Sequence, residues 1–421
     1  MSLKNQAIQE SKNELLYFKT LVKWIIFASV TGIVVGLVGT GVVIGINFAT
    51  SIRQAHKFVT YFLPVGGLLA VFIYKINKRE KDSGTNAVLG AIRNQNTIQL
   101  RTTPLIIIAT LITHLVGGSA GREGAALQFG GSLGEGLGKL FKFNDRDRTL
   151  IIMCGMSAAF SAVFGVPIAA VLFPMEVVSI GIMYYSALVP CTISALVAHE
   201  VALFCGIESE MYPSPVIDRS TPYSVFIIVI IAILCGILSI IFCQALHSSH
   251  EFFEKKLPNP YIRVVVGGTI LILLTLIFGT EYNGVGSDVI KRAVEEGYAL
   301  PWAFIVKLIF TVITLSVGYK GGEIVPSFFI GATLGATLGS IVGLSPSLCA
   351  AIGMICVFCG VTNCPITSFI IACELFSFER SLYFLIAVGI TYLISGYKSL
   401  YKAQKIMYSK TEPKYINKET E

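Results

Sequence analysis

The chain has 421 residues, of which 54% are hydrophobic and only 14% charged, with a net charge of +7 and a mean hydropathy of +0.74. Soluble domains carry about 25% charged residues, so this composition excludes a soluble enzyme or binding module and reads as an integral membrane protein. The excess of 32 Lys and Arg over 25 Asp and Glu is mostly juxtamembrane, which leaves nothing for a nucleic-acid partner to explain.

The chain opens with a polar leader, residues 1–20, that holds Lys4, Lys12 and Lys19. No small-residue cleavage site follows it, so the leader is expected to stay on the mature protein. Apolar stretches then run over 21–49, 60–74, 104–116, 150–204, 225–246, 261–278, 304–317, 324–342, 348–361 and 366–393. At about 20 residues per crossing, the longest of these must fold as helix pairs and the others include short, tilted helices. A second basic cluster, Lys398, Lys402, Lys405, Lys410, Lys414 and Lys418, follows the last stretch. Basic residues at both ends place both termini in the cytoplasm, with an even number of crossings of the cell membrane. The cysteines fall mostly inside apolar stretches (Cys154, Cys191, Cys235, Cys356, Cys373), where a thiol behaves as a small apolar group, and they show no metal or disulfide spacing. No cofactor is expected.

The sequence repeats itself. Val65-Gly66-Gly67 recurs as Val266-Gly267-Gly268, Gly84-Thr85-Asn86 has an analogue in Gly286-Ser287-Asp288, Gly130-Gly131-Ser132-Leu133-Gly134 matches Gly331-Ala332-Thr333-Leu334-Gly335, and Pro167-Ile168 with Glu176 recurs as Pro365-Ile366 with Glu374. The offsets are 201, 202, 201 and 198 residues, in the same order along the chain. We read a tandem duplication: a first membrane repeat over 21–205, a linker over 206–222, a second repeat over 223–405 and a tail over 406–421. Transporters built from repeats often place their sites where broken helices from the two halves meet.

Four places interrupt the apolar runs: Gly84, Gly117–Gly124, Gly318–Gly322 and Asn363-Cys364-Pro365. Irregular backbone at membrane depth survives only where it is buried in protein or lines a cavity. A helix that starts there directs unpaired N–H groups and a positive dipole end into that space, which suits an anion. The plainer alternative is close helix packing through small residues, which is the reading for Gly134, Gly136, Gly138, Gly335 and Gly339. Glu123 beside Arg122, in such a break, is an acid placed where an anion would sit.

The runs GGSAGREG (117–124), FSAVFGVPIAAVLFPMEV (160–177), GYKGGEIVPSFFIGATLG (318–335) and SGYKSLYKA (395–403) resemble the CLC chloride channels and anion/proton antiporters over residues 20–405. The resemblance implies an all-α polytopic fold of two inverted-topology repeats with tilted and broken helices, a homodimer with one anion pathway per subunit, and no regulatory domain after the membrane part. It assigns the gating glutamate to Glu123, which competes with the anion for one place and leaves it when protonated or displaced. It also gives anion-lining roles to Ser83, Gly84, Asn86, Gly124, Ala125, Ile324, Val325 and Tyr401. Tyr401 would donate its phenolic O–H, or else serve as an interfacial belt tyrosine. Glu176 and Glu374 are read as structural, satisfying helix ends.

Three positions depart from the chloride members: Ala125 replaces a usual proline, Val177 stands where chloride/proton exchangers carry an internal glutamate, and Glu323 precedes Ile324 in GGEIVP. GYKGGEIVPSFFIGATLG looks most like the fluoride-exporting branch, in which a glutamate at the Glu323 position takes part in proton-coupled export. The expected function is therefore a fluoride/proton antiporter, with fluoride or chloride, protons and the lipid bilayer as partners. The alternative is a chloride channel or chloride/proton antiporter, with Ser83 as a chloride ligand and Glu323 paired with Lys320 outside the pathway. A remote alternative reads GGSAG (117–121) as a nucleophile elbow, with Ser119 as nucleophile and His114 or His199 as base. That motif needs a strand before the turn, and an apolar helix precedes it.

Overall fold

The computed structural model describes residues 3–78, 83–94, 96–209, 211–213 and 221–420, with side chains from residue 13. The side chains of Lys4 and Lys12, and residues 210 and 214–220 of the expected linker, lie outside the described residues. Among the described residues, each half contributes eight α-helices. The first half holds α1 (Leu3–Ala55), α2 (Leu63–Ile76), α3 (Thr85–Asn94), α4 (Thr102–Val116), α5 (Glu123–Leu140), α6 (Asp145–Phe164), α7 (Pro167–Val177) and α8 (Leu188–Phe204). The second holds α9 (Pro222–Lys256), α10 (Pro260–Phe278), α11 (Ser287–Lys291), α12 (Ala303–Val317), α13 (Ile324–Val342), α14 (Pro346–Thr362), α15 (Pro365–Phe376) and α16 (Ser381–Ile394).

Local chemistry sets these boundaries. Pro167, Pro260, Pro346 and Pro365 stand at first helical positions, where the missing N–H has no helical partner to lose. Asn144, Thr221, Asn259 and Ser345 cap α6, α9, α10 and α14 by accepting backbone N–H groups. Gly117, Gly165, Gly318, Gly343 and Asn363 end α4, α6, α12, α13 and α14 in the left-handed conformation. The run 150–204 thereby breaks into most of α6, then α7 and α8. Among the described residues, seven helical segments are long and apolar enough to cross a bilayer, whereas α4, α7, α12, α14 and α15 are shorter.

Two boundaries differ from expectation. The leader is continuous with the first apolar segment, because α1 starts at Leu3 and meets no proline in its 53 residues. The tail is folded: β2 (Lys405–Tyr408) pairs antiparallel with β3 (Tyr415–Glu419) and parallel with β1 (Ser179–Ile180). Lys410 fastens this hairpin to the ends of α14 and α16, donating to Asn363 Oδ1, to the Tyr392 carbonyl at 2.8 Å and to Ser395 Oγ at 3.0 Å.

Packing follows the repeat. Added β-carbons at Gly130 and Gly134 of α5 would strike the backbone of α6 at Gly155 and Ile151, and those at Gly331 and Gly335 of α13 would strike α14 at Gly353 and Cys349. Small residues let these helix backbones approach closely, where no hydrophobic drive separates helix from lipid. The halves also lock at α7 and α15, each of which ends in a glutamate that caps the other's start. Glu176 accepts the N–H groups of Ile366 (3.0 Å) and Thr367 (2.8 Å), and Glu374 accepts those of Ile168 (2.9 Å) and Ala169 (2.7 Å). The structural reading of both acids holds, but the break at Asn363-Cys364-Pro365 does not face an anion: the Glu176 carboxylate already occupies the α15 start. Glu176→Ala leaves two backbone donors and the Thr367 hydroxyl, now bonded to Glu176 at 2.6 Å, without this acceptor. We expect a loss of about 3 kcal/mol of stability, read as a lower unfolding temperature in detergent, and a smaller loss for Glu374→Ala, which deprives only two donors.

Candidate functional site

The two remaining pseudo-equivalent breaks meet each other. After left-handed Gly117 the chain runs without helix to Gly121 before α5 begins, and after left-handed Gly318 it runs to Gly322 before α13. Gly121 and Gly322 form an isolated antiparallel bridge, with N–H to carbonyl distances of 2.7 Å in both directions. They are 201 residues apart, the repeat offset itself, so the bridge joins counterparts across the pseudo-two-fold axis. The first helical bonds run from Ala126 to Arg122 (3.0 Å) and from Ser327 to Glu323 (3.1 Å). The N–H groups of 123–125 and of 324–325 therefore lie outside the helical ladder, and Pro326 has none.

One carboxylate lies on each side of this bridge. Glu123, fully buried, folds back so that its Oε2 accepts the Arg122 N–H at 2.9 Å, while Oε1 stands 3.4 Å from Arg122 Nε. A β-carbon at Gly121 would come within 2.5 Å of Glu123 Oε2, and one at Gly124 within 3.1 Å of Glu323 Oε2. Glycine at both positions makes room for the acids. Glu323 is the N-cap of α13 and is the counterpart of Arg122, at an offset of 201, so the two acids sit in different positions of the repeat.

Two cavities approach the bridge. One, of about 380 Å³, is lined by Ser83, Gly84, Asn86, Gly124, Glu323 and Tyr401, together with Gln128, His247 and Lys320. It lies toward the end of the molecule where Lys23 meets Asp147 (2.7 Å) and Arg93 donates to the Ala403 carbonyl (2.8 Å). The other, of about 760 Å³, is lined by the far end of α1 from Val43 to Gln54, by Lys57 and Thr60 just after it, by Arg122 and by residues of the segment 280–292. Lys23 and Asn47 are about 36 Å apart along the helix. Beside the larger cavity, with which it shares Arg122 and Phe164, Glu123 lines a narrow space of about 10 Å³ with Val325 and Phe328.

The structure gathers most of the expected residues. Ser83, Gly84, Asn86, Gly124, Glu323 and Tyr401 share the smaller cavity, and Val325 reaches the space beside Glu123. Ala125 and Ile324 are buried in apolar clusters, and their backbone N–H groups are among those outside the helical ladder. Asn86 turns its Oδ1 to the Ala403 N–H at 2.9 Å, which ties the segment carrying Tyr401 to α3. The Tyr401 hydroxyl is buried and has no hydrogen-bond partner among the described residues, and Tyr401 lines the smaller cavity. Glu323 and Lys320 both line that cavity, and Lys320 Nζ stands 4.7 Å above the Tyr74 ring. Val177 gives its carbonyl to Gln404 Nε2 at 2.9 Å. Ser119 bonds Thr311 Oγ1 at 3.0 Å and its N–H bonds Thr314 Oγ1 at 3.1 Å, so this serine stitches the two halves together. The sequence reading missed the Gly121–Gly322 contact, for which the constant offset was the available signal.

A polytopic helical membrane protein with two broken helices meeting at a buried acid is a transporter architecture. Residues 65–396 match the model of the family described as voltage gated chloride channel. A chloride/fluoride channel protein of Pseudomonas syringae pv. tomato is 34% identical over 401 residues, covering 93% of this chain and 88% of its own length. The H(+)/Cl(-) exchange transporter ClcA of Vibrio campbellii is 24% identical over 377 residues, covering 83% and 81%. Among solved structures, a CLC-type fluoride/proton antiporter superposes with a TM-score of 0.88 at 30% identity, covering 92% of this chain and 98% of its own. A slow cyanobacterial Cl-/H+ antiporter superposes with a TM-score of 0.77 at 19% identity, covering 88% and 94%, which shows a shared fold. The chain belongs to the voltage gated chloride channel family, the CLC channels and transporters.

Proposed function

We propose that this protein is a fluoride/proton antiporter that exports fluoride, and that Glu123 and Glu323 carry its protons. The observation that carries the reading is Glu323, a buried acid on the wall of the smaller cavity, with its carboxylate against Gly124 at the start of α5. Buried ionisable groups in membrane helices are costly and are usually functional. Fluoride is small and strongly hydrated, so a selective site must replace its water with short hydrogen bonds, and O–H donors do this best. Protonated Glu323 is such a donor, beside the Tyr401 and Ser83 hydroxyls that line the same cavity. Ionised, the same group repels the anion. Glu123 holds the anion's place at the α5 start and yields it when protonated or displaced, so proton and fluoride exchange through one position. The family membership and the fluoride names of the relatives at 34% and 30% identity support the choice.

Ser83 on the cavity wall favours the second reading, a chloride channel or chloride/proton antiporter. The two separate in vesicles loaded with fluoride or chloride, with efflux followed by ion-selective electrodes. The parent is expected to release fluoride at least about tenfold faster than chloride, and Glu323→Gln to abolish that preference, by the loss of about 1.4 kcal/mol of discrimination. Equal rates for both ions in parent and variant would establish the chloride reading.

Assembly as a homodimer with one pathway per subunit, and both termini in the cytoplasm, belong to the same proposal. The basic residues at both ends support the orientation. The protein mass of the detergent-solubilised particle should be twice the 45.5 kDa of one chain, and a single-chain mass would remove the dimer.

A further inference from the structure

The larger cavity holds three buried groups that the pathway described above does not use. Arg53, Thr60 and Asn283 all line it and are 8%, 5% and 3% exposed. Among the described residues, the Thr60 hydroxyl and the Asn283 amide nitrogen have no hydrogen-bond partner. The three side chains are neighbours around Gly117: the point where its β-carbon would stand is 3.3 Å from the Arg53 Cδ methylene, 3.4 Å from Asn283 Nδ2 and 3.4 Å from the Thr60 Cγ2 methyl. The acids of this cavity, Glu208, Glu281 and Asp288, are all exposed on its rim, and Glu281 is held by Arg292 at 2.8 Å.

We propose that Arg53, Thr60 and Asn283 form a second anion-binding site, for a small monovalent anion of the halide class, at the floor of the larger cavity and separate from the helix starts at Glu123 and Glu323. Buried polar groups are normally satisfied, and two donors beside a cation point to an acceptor bearing negative charge. Arg53 donates to the His114 carbonyl at the end of α4; that bond accounts for the arginine as a helix C-terminal partner but leaves Thr60 and Asn283 unexplained. Lys307, fully buried, strengthens the case from beneath. Its Nζ donates to the carbonyls of Tyr282 (3.1 Å) and Gly284 (2.7 Å) and lies 5.1 Å from the Phe329 ring. The lysine thereby fixes the segment that presents Asn283, which the Gly284 N–H further ties to the Gly118 carbonyl at 3.1 Å. Among the described residues neither Arg53 nor Lys307 forms an ion pair with a carboxylate, and buried charge without a counter-charge is costly. A bound anion supplies it.

The repeat gives an independent reason for the position. Gly286 is the counterpart of Gly84, at an offset of 202, so in an inverted repeat the segment 285–287, two residues after Asn283, faces the larger cavity as Ser83–Thr85 faces the smaller one. Arg122 lines the same larger cavity and contacts Glu123, which leaves a short basic path between this site and the gate.

The site rests on anion transport by this chain and not on the choice of halide. Its test is the concentration dependence of NaF entry from the larger-cavity side, in oriented vesicles carrying the full chain, with NaCl in parallel. Thr60→Val and Asn283→Leu are each expected to raise the half-saturating concentration about tenfold, since a hydrogen bond to a charged partner is lost, and far more than they lower the maximal rate. Thr60→Ser, which keeps the hydroxyl, should saturate as the parent does. Unchanged half-saturation in the folded variants, or a loss of maximal rate alone, overturns the site. Where Asn283→Leu does not fold, Thr60→Val against Thr60→Ser decides. A parent that moves only chloride would sink the fluoride reading, while the same comparison made with NaCl still tests the site.

Discussion

Glu123→Gln is expected to lower proton-coupled anion exchange to below about a hundredth of the parent rate, the range over which a positioned proton carrier acts. The variant keeps the volume of the side chain and its place at the α5 start, so folding should survive. It loses the cycle between a charge that mimics the anion and a neutral group that withdraws. Glu123 is fully buried, lines the narrow space beside the larger cavity, and is oriented by the N–H and guanidinium of Arg122. Anion flux that remains in the variant should no longer vary with pH. Proton movement measured with a pH probe at the parent rate would remove Glu123 from the mechanism.

Gly322→Ala should have the largest structural effect of any single methyl group added to the pathway. Its β-carbon would fall against the backbone nitrogen and Cα of Gly124, and backbone cannot rotate away as a side chain can. Relief requires parting the two 2.7 Å bonds between Gly121 and Gly322, which hold the halves together at the axis. We expect about 3 kcal/mol or more of destabilisation from overpacking and lost hydrogen bonds, and transport reduced at least about tenfold because both acids are seated on this bridge. Gly121→Ala is a milder control. Its β-carbon would press on the Glu123 carboxylate and on Pro326 Cδ at 3.2 Å, so the protein should stay folded while Glu123 is dislodged. Thermal unfolding and flux measured on the same preparations separate the two effects.

Much of this architecture is legible in the sequence, and what is not legible has physical causes. The two halves follow from repeated anchors with nearly constant offsets, and the helix ends follow from glycines, prolines and caps. The meeting of Gly121 with Gly322 needs one further step, that an inverted repeat brings residues near its axis against their own counterparts. The acids Glu176 and Glu374 were readable as helix-end groups. Which end each satisfies was not, because a carboxylate that closes its own helix and one that crosses to the other half leave the same sequence signal; hence the misreading of the α15 start. Arg53 and Lys307 carry no motif, and Arg53 at the end of α1 looks like any juxtamembrane arginine. Their burial depends on how the segment 279–287 folds over them. The hairpin at 405–419 was hidden by its lysines, which read as a cytoplasmic tail, whereas the structure pairs its first strand with Ser179–Ile180.

The central claim is that this protein couples fluoride to protons. The most direct test holds the vesicle membrane potential at zero, imposes a fluoride gradient across vesicles containing the parent protein, and follows internal pH. Coupled exchange predicts that fluoride running down its gradient drives protons in the opposite direction against their own, and that an equal chloride gradient does so far more weakly. Dissipation of the fluoride gradient without proton movement, or equal proton movement with chloride, would contradict it.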